Sequence, residues 1–449
     1  MSPFSSSAMS LHHLESNTND APLGSGPGSP WQAWAQDEKD AIVASRLWRA
    51  PVTFDALGTE GYLRQPSSGL ATTRTSSAET ATRATGSTAH VVAFASNDYL
   101  GLSAHPLVVT AAKEALDIWG AGSGASRLVT GSRPVHEELE RDLADWKGTD
   151  AAVVFSSGYA ANLGVLATLG DDHCRIFSDQ LNHASIVDGA RLARADVKIF
   201  RHRDIEHLEE LIIRTRRSSN ANGPTKRLLV VTDSVFSMDG DLAPLDDLCE
   251  CCERHGALLV IDEAHAVLGP ELVTEYPHVV RVGTLSKTLG STGGFATGPR
   301  CYMQLLVNRA RPYIFTTAPT PASIAAAKQA LTILRSTEGN RLKAKLAAHV
   351  ARLAPANSSP IVAVVLGAEA SALRASEDLL EKGVWVPAIR PPTVAKGTSR
   401  LRVSLSAAHT DQQVDHLLEA LRDVLGSDLL AEVLPGLPGS ATSSTAGTG

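Results

Sequence analysis

With 449 residues, 43% of them apolar and 20% charged, the chain is long enough for a large core and a second, smaller domain of ordinary globular composition. Its net charge of -7 gives no general attraction to nucleic acid or to an anionic membrane, and no uninterrupted apolar run approaches the roughly 18 residues that a membrane span requires. Five cysteines, Cys174, Cys249, Cys251, Cys252 and Cys301, are an odd number in a long chain, which argues against a disulfide framework and for a reducing compartment, the cytoplasm.

Residues 1–35 are rich in Ser, Gly, Pro and Asn, lack the charged and apolar regions of a secretory leader, and read as a disordered tail. Residues 36–100 are assigned to the first part of the small domain, interrupted by the Ser/Thr-rich stretch 67–90, which reads as an expanded surface loop. Across 101–300, helix-length segments alternate with runs that are apolar on both faces, at 151–155, 227–233, 257–262 and 279–284. Such runs predict strands of a parallel or mixed sheet covered on both sides, hence a large α/β domain. Residues 301–425 alternate predicted helices (320–335, 340–353, 372–382, 411–425) with predicted strands (361–367, 400–406), an α+β small domain, and 426–449 form a second tail.

Three segments carry candidate chemistry. GTLSKTLGSTGG (283–294) follows an apolar strand and sets Lys287 among Gly, Ser and Thr, whose amides and hydroxyls can surround an anion; alone, it also reads as a flexible loop with a solvated lysine. ALLVID ends on Asp262, a carboxylate costly at the end of a buried strand unless it meets a cation or hydrogen-bond donors. His265 follows three residues on, in DEAH, which is a helicase box in other settings; a helicase also needs a phosphate-binding loop of the form GxxxxGK[ST], and the sequence has none. CECCERH (249–255) raises zinc, but it lies in a helical pattern and lacks a second ligand pair, so no metal is assigned.

Taken together, GAGSGASRLVTGSRPVHEELE (120–140), DSVFSMDGDLAPL (233–245), DEAH and TLSK resemble the α-oxoamine synthase family of fold-type I pyridoxal-phosphate enzymes, over about residues 94–410. The resemblance implies an aspartate-aminotransferase-like fold, with a large mixed-sheet domain of seven-stranded type and a smaller α+β domain, assembled as a homodimer. It implies pyridoxal 5'-phosphate bound to Lys287 as a Schiff base, with Asp262 at the ring nitrogen, His136 stacked on the ring, and Ser237 and His265 at the ring hydroxyl. Backbone groups of Gly158 and Tyr159, in SSGYAAN (156–162), fit a phosphate at a helix N-terminus, with hydroxyls from Thr284 and Ser286; capping by Ser156 or Ser157 is the alternative use of that turn. The resemblance further implies that Thr316 or Thr317, in IFTT, reaches a second subunit's phosphate. Arg402 is the implied ligand of the substrate carboxylate, assisted by Asn97, while Thr393 lies near the acyl thioester and Arg400 is expected at the surface, on the opposite phase of the strand.

FASNDYLGLS (94–103) and AIRPPTVAKGTSRLRVSLSAAHT (388–410) resemble the biotin-pathway branch of the family. That branch condenses L-alanine with a pimeloyl thioester, carried on coenzyme A or acyl carrier protein, releasing carbon dioxide and the carrier thiol. Lys287 is then the general base, and His136 or His265 polarises the thioester carbonyl. A glycine acyltransferase and a catalytically silent partner subunit are the alternatives within the superfamily. The sequence departs from the family pattern in DEAHAVLGPELVTEYP (262–277), which replaces a longer glycine-rich loop and reaches Lys287 sooner, so acyl-donor identity is the expectation it weakens.

Overall fold

Runs such as LLVVTD and LLVID have no polar face to show to water, and they are satisfied only between covering layers in the middle of a sheet. In the computed structural model they lie in a seven-stranded sheet whose spatial order is Ala151–Phe155, Gly294–Gly298, Val279–Thr284, Leu258–Asp262, Arg227–Asp233, Cys174–Asp179 and Asp196–Phe200. The structure describes residues 29–45, 47–49, 51–64, 88–222, 227–270 and 276–436. They fall into two units, residues 1–50 and residues 51–449.

The first unit contains the helix Pro30–Ala44, which starts inside the stretch expected to be an unstructured tail. Its origin is local: Ser29 and Gln32 exchange side-chain and backbone hydrogen bonds in a capping box, and Pro30 occupies the first turn. Residues 1–28 of that expected tail lie outside the described residues.

In the second unit the seven-stranded sheet is parallel except for Gly294–Gly298, which runs antiparallel to both neighbours. The parallel strands therefore share one carboxyl edge, where ligands of open α/β sheets bind. Along that edge come the turn at Ser157–Gly158 after Phe155, the turn at Asn182–His183 after Asp179, the terminal Asp233 and Asp262, and the Lys287 loop after Thr284. Asp233 and Asp262 stand opposite each other in register. A four-stranded sheet (Thr53–Ala56, Glu60–Arg64, Thr88–Ala93, Val384–Trp385) and a three-stranded sheet (Ile361–Gly367, Ser399–Ser404, Ala388–Ile389) complete the β structure. Of the Ser/Thr-rich loop, residues 67–87 lie outside the described residues, and its last three positions open the strand Thr88–Ala93. The segment expected to be a C-terminal tail begins with a helix, Ser427–Val433, pinned by the buried Leu430; residues 437–449 lie outside the described residues.

The antiparallel strand passes so close to the Ser157–Gly158 turn that a Cβ at Gly294 would stand 2.3 Å from the Ser157 carbonyl oxygen and 2.4 Å from the Gly158 nitrogen. Gly294→Ala is expected to lower the unfolding free energy by about 1–3 kcal/mol, the usual cost of overpacking against rigid backbone; an unchanged denaturant midpoint would show that the turn can give way.

A second prediction concerns the turn after Cys174–Asp179. The Asp179 carboxylate accepts the Leu181 and Arg203 amides and, at 2.9 Å, Nδ1 of His202, whose Nε2 lies 2.7 Å from Asp241. Burial pushes the His202 imidazolium down, but hydrogen bonds and charge from Asp179 and Asp241 more than reverse this, to about 9. Because the folded-state value lies above the unfolded one, the stability His202 contributes is fully present below pH of about 6.5 and is lost as pH rises through 9. Unfolding measured from pH 6 to 10 should show that decline in the wild type and a flatter profile in His202→Gln.

Candidate active site

The strand Val279–Thr284 delivers its chain into a tight loop. The Leu285 amide donates to the Gly293 carbonyl at 2.9 Å, the Gly290 amide to the Lys287 carbonyl at 2.9 Å, and the Ser291 amide to the Leu285 carbonyl at 2.8 Å. Lys287 is thus held on a closed backbone ring, and its Nζ lies 2.7 Å from Nε2 of His265. Burial pushes the Lys287 ammonium below the ordinary lysine range; Asp262 and Asp233 oppose that shift and Arg402 adds to it. His265, 4% exposed, is held well below the usual imidazole range by burial, with the charges of Lys287 and Arg402 acting in the same direction.

From His265 a chain of contacts runs across the site. Nδ1 lies 2.5 Å from the Tyr99 hydroxyl, which lies 3.1 Å from Asn97 Oδ1, which in turn accepts Nη2 of Arg402 at 3.2 Å. Arg402 also donates Nε to the Ser237 carbonyl at 2.5 Å and Nη1 to Ser404 Oγ at 2.8 Å. Lys287, His265, Asn97, Ser237 and Arg402, all singled out from sequence, are therefore brought together, and Tyr99, which was not, joins them.

Asp262 accepts the Ala264 amide at 2.9 Å on Oδ1 and the Asn162 amide group at 2.6 Å on Oδ2. Asn162 also donates to Ser185 Oγ at 2.8 Å, 2.7 Å from His183 Nδ1, and the backbone amide of His183 donates to Asp233 at 2.7 Å. Burial, reinforced by the charge of Asp262, pushes the Asp233 carboxyl well above the usual range. Burial lowers His183 too, while Asp262 and Lys287 pull it in opposite directions. Asn162, His183, Ser185 and Asp233 were missed in the sequence. The signal available was LNHAS (181–185), a histidine-bearing turn directly after a parallel strand.

His136 needs correction. It is fully buried, its Nδ1 accepts the Arg133 amide at 3.1 Å, and its Nε2 donates to the Pro319 carbonyl at 2.9 Å. Its charged neighbours are Arg127 and Glu140, not Lys287 or Asp262. A ring enclosed on both faces and committed at both nitrogens presents no surface for stacking. It ties the helix Pro134–Lys147 to the segment carrying Thr316 and Thr317, of which Thr316 is half-buried and Thr317 exposed.

Arg400 is the second correction. It is 6% exposed and donates to the Thr398 and Met238 carbonyls at 3.0 and 3.2 Å and to the Asp239 carboxylate. Residues two apart on a strand share a face, so Arg400 and Arg402 both reach the 237–239 segment. Thr393 is exposed in the turn before Ser399–Ser404, its amide donating to the Arg390 carbonyl.

Gly158 opens the helix Gly158–Leu169, and Ser157 caps it, accepting the Ala160 amide at 3.0 Å. That cap leaves the Gly158 and Tyr159 amides without intrahelical partners. A Cβ on Gly158 would stand 3.1 Å from Thr284 Cβ, so the turn packs directly on Thr284, whose hydroxyl is 2.7 Å from that of Ser286. Amides and hydroxyls thus gather at one point, a fit for an anion. The Tyr159 hydroxyl bonds to Asp188.

The cysteines of CECCERH lie on the helix Leu245–His255, and burial pushes the Cys249 and Cys251 thiols up to about 11. Glu209, Cys251 and His255 offer ligand atoms within 4.8 Å of one another, but Arg254 and His255 already engage the Glu209 carboxylate. Protonated thiols packed in a core behave as small apolar groups.

The family model for aminotransferase class I and II matches residues 89–421. An 8-amino-7-oxononanoate synthase of Anaeromyxobacter dehalogenans (strain 2CP-1 / ATCC BAA-258) is 50% identical over 365 residues, 78% of this chain and 87% of that protein. Among solved structures, serine palmitoyltransferase from S. paucimobilis with bound PLP-myriocin aldimine matches with a TM-score of 0.74 at 28% identity, covering 87% of this chain and 97% of its own. An 8-amino-7-oxononanoate synthase from Francisella tularensis matches with a TM-score of 0.61 at 26% identity, covering 74% and 97%.

The corrected place of Arg400 is testable. Arg400→Lys removes the fork that reaches Met238, Thr398 and Asp239, and the unfolding free energy should fall by about 1–3 kcal/mol, the range for losing hydrogen bonds of a buried charged group. A denaturation midpoint equal to the wild type would return Arg400 to the surface.

Proposed function

The chain belongs to the class I and II aminotransferase family and, within it, to the 8-amino-7-oxononanoate synthases, and from that membership we propose that it condenses L-alanine with a pimeloyl thioester in biotin biosynthesis, releasing carbon dioxide and the carrier thiol. The observation that carries the reading is the continuous contact between Lys287 and Arg402 through His265, Tyr99 and Asn97. It sets a buried amine and a carboxylate-binding guanidinium on one scaffold. The higher TM-score of the serine palmitoyltransferase is offset by sequence identity, 50% to the Anaeromyxobacter enzyme against 28%.

The cofactor is pyridoxal 5'-phosphate, and the residues present fit it. The buried Asp262 carboxylate suits a ring nitrogen, Asn162 has a buried Oδ1 with no hydrogen-bond partner in the structure, and the Gly158 turn packs on Thr284 with two amides to spare. In this reading Lys287 holds the group covalently, Ser237 and His265 serve its hydroxyl, and Gly158, Tyr159, Thr284 and Ser286 serve its phosphate. His183, which feels the charges of both Asp262 and Lys287, takes the place against the ring that was expected for His136. When bound, the cofactor supplies an electron sink for charge developing on the amino acid's α-carbon.

The chain's own residues do the rest. Arg402 is anchored by N–H donors on Ser237, Ser404 and Asn97, and the rest of its guanidinium fork is offered to a substrate carboxylate. That grip orients the α C–H bond. Lys287, whose buried amine resists protonation, accepts and holds the α-proton. Neither nitrogen of His136 is free to donate to the thioester carbonyl, because both are committed elsewhere.

The reading extends to a homodimer in which Thr316 or Thr317 serves the partner's phosphate site. Phe315 is 70% exposed beside them, and the segment is anchored by Ala125 to Ala318 and by Ser123 and His136 to Pro319. Five free cysteines support a cytoplasmic setting, and among the described residues no helix is long and apolar enough to cross a membrane.

The test is a panel of L-alanine, glycine and L-serine against pimeloyl, acetyl, succinyl and palmitoyl thioesters on coenzyme A and acyl carrier protein, read as released thiol and carbon dioxide. L-alanine with a pimeloyl thioester should exceed every other pair. Arg402→Lys should raise the KM for L-alanine by roughly tenfold or more through loss of the two-pronged contact, leaving the resting cofactor absorbance intact. Lys287→Ala should lose the borohydride-reducible lysine adduct. Preference for L-serine with a palmitoyl thioester would sink the substrate assignment.

A further inference from the structure

Tyr99 is completely buried, and its hydroxyl lies 3.1 Å from Asn97 Oδ1 and 2.5 Å from His265 Nδ1, with the donor Arg402 as a third polar neighbour. A hydroxyl has one proton to give, so the two contacts cannot both be donations from Tyr99. The direction is decided at Asn97. Arg402 has donors only, so the amide atom it meets at 3.2 Å is the oxygen, and that same oxygen faces Tyr99. Two oxygens in contact need a proton between them, and only Tyr99 can provide it. Burial pushes the Tyr99 hydroxyl up to about 12, so it keeps its proton at neutral pH.

With its proton committed to Asn97, the hydroxyl turns a lone pair toward His265, and Nδ1 must carry the hydrogen. His265 is neutral, so its other nitrogen, Nε2, is then a bare acceptor 2.7 Å from Lys287 Nζ. One N–H of the lysine is directed into the imidazole, which fixes how the amine is turned.

We propose that Tyr99 is a positioning residue that locks His265 in its Nδ1–H tautomer and thereby aims the Lys287 amine. Arg402 lies beside its hydroxyl as well, and Tyr99 acts on Lys287 through His265. The inference rests on Lys287 being the cofactor-bearing lysine. The charged and titratable groups around the pair are Asp262 and Asp233 at the sheet edge, His183 beside them, and Arg402 on Ser399–Ser404. None of them meets Nδ1 of His265 in a hydrogen bond among the described residues, so the tautomer is left to Tyr99.

The experiment is nitrogen-15 histidine NMR on the full-length protein, with and without cofactor, assigning His265 by the signal lost in His265→Gln. The wild type should show the Nδ1–H pattern, and Tyr99→Phe, which keeps the buried ring, should show Nε2–H or a mixture of tautomers. Alongside it, the pH profile for capture of added pyridoxal phosphate by cofactor-free protein should move to lower pH in Tyr99→Phe, by on the order of one unit, because an Nε2–H facing the amine disfavours its charged form. An Nε2–H tautomer in the wild type, or an unchanged tautomer in Tyr99→Phe, overturns the proposal. Loss of the Lys287 assignment would show differently, as cofactor capture persisting in Lys287→Ala, while the tautomer measurement would still report on Tyr99.

Discussion

Two carboxylates and an amine share the low-dielectric carboxyl edge of the seven-stranded sheet, and much of the surrounding structure exists to make that tolerable. Asp233 and Asp262 end adjacent strands in register, so the charge of Asp262 adds to burial in raising the cost of ionising Asp233. Lys287 is the nearby cation that lowers that cost, yet burial works against its charge as well. The Ala264 and Asn162 amides on Asp262 and the His183 amide on Asp233 distribute the remaining charge into fixed donors. A site assembled this way shifts the buried lysine amine toward its neutral form, which favours proton transfer at a carbon acid.

Orientation comes from a different part of the chain. The residues that aim Lys287 and present Arg402 stem from the 94–103 segment, the loop after Leu258–Asp262 and the strand Ser399–Ser404, and they meet only because the three-stranded sheet brings Arg402 against Ser237. The Ser404 amide donates to the Phe94 carbonyl and the Ala407 amide to the Tyr99 carbonyl, so the C-terminal strand and the segment bearing Asn97 and Tyr99 are stitched together by backbone. Side-chain geometry at the site therefore inherits the rigidity of main-chain hydrogen bonds.

The sequence was readable where one physical signal dominated. Uninterrupted apolar runs marked Ala151–Phe155, Arg227–Asp233 and Val279–Thr284 to the residue, and a carboxylate ending a buried strand marked Asp262. It was silent where significance arises from contact between distant segments. Tyr99 is an ordinary core aromatic until His265, 166 positions away, is placed against its hydroxyl. His183 and Asn162 likewise acquire meaning only through Asp262. His136 misled because its motif is real but its ring serves the fold, and Arg400 misled through parity, since positions two apart share a strand face. The helix Pro30–Ala44 lay hidden because composition was weighed over the capping pair Ser29 and Gln32.

The strand Gly294–Gly298 runs against the grain of its sheet, paired on one side with Ala151–Phe155 and on the other with Val279–Thr284. It makes the lysine loop and the glycine turn into two ends of a single ruler. The chain leaves Thr284, carries Lys287 around its ring, and returns at once along the flank of the strand that feeds Gly158. The span between the amine and the helix terminus is graduated in ladder hydrogen bonds rather than in loop conformation. Motion of the loop can tilt what is held there, but only breaking the sheet can change the length over which it is stretched.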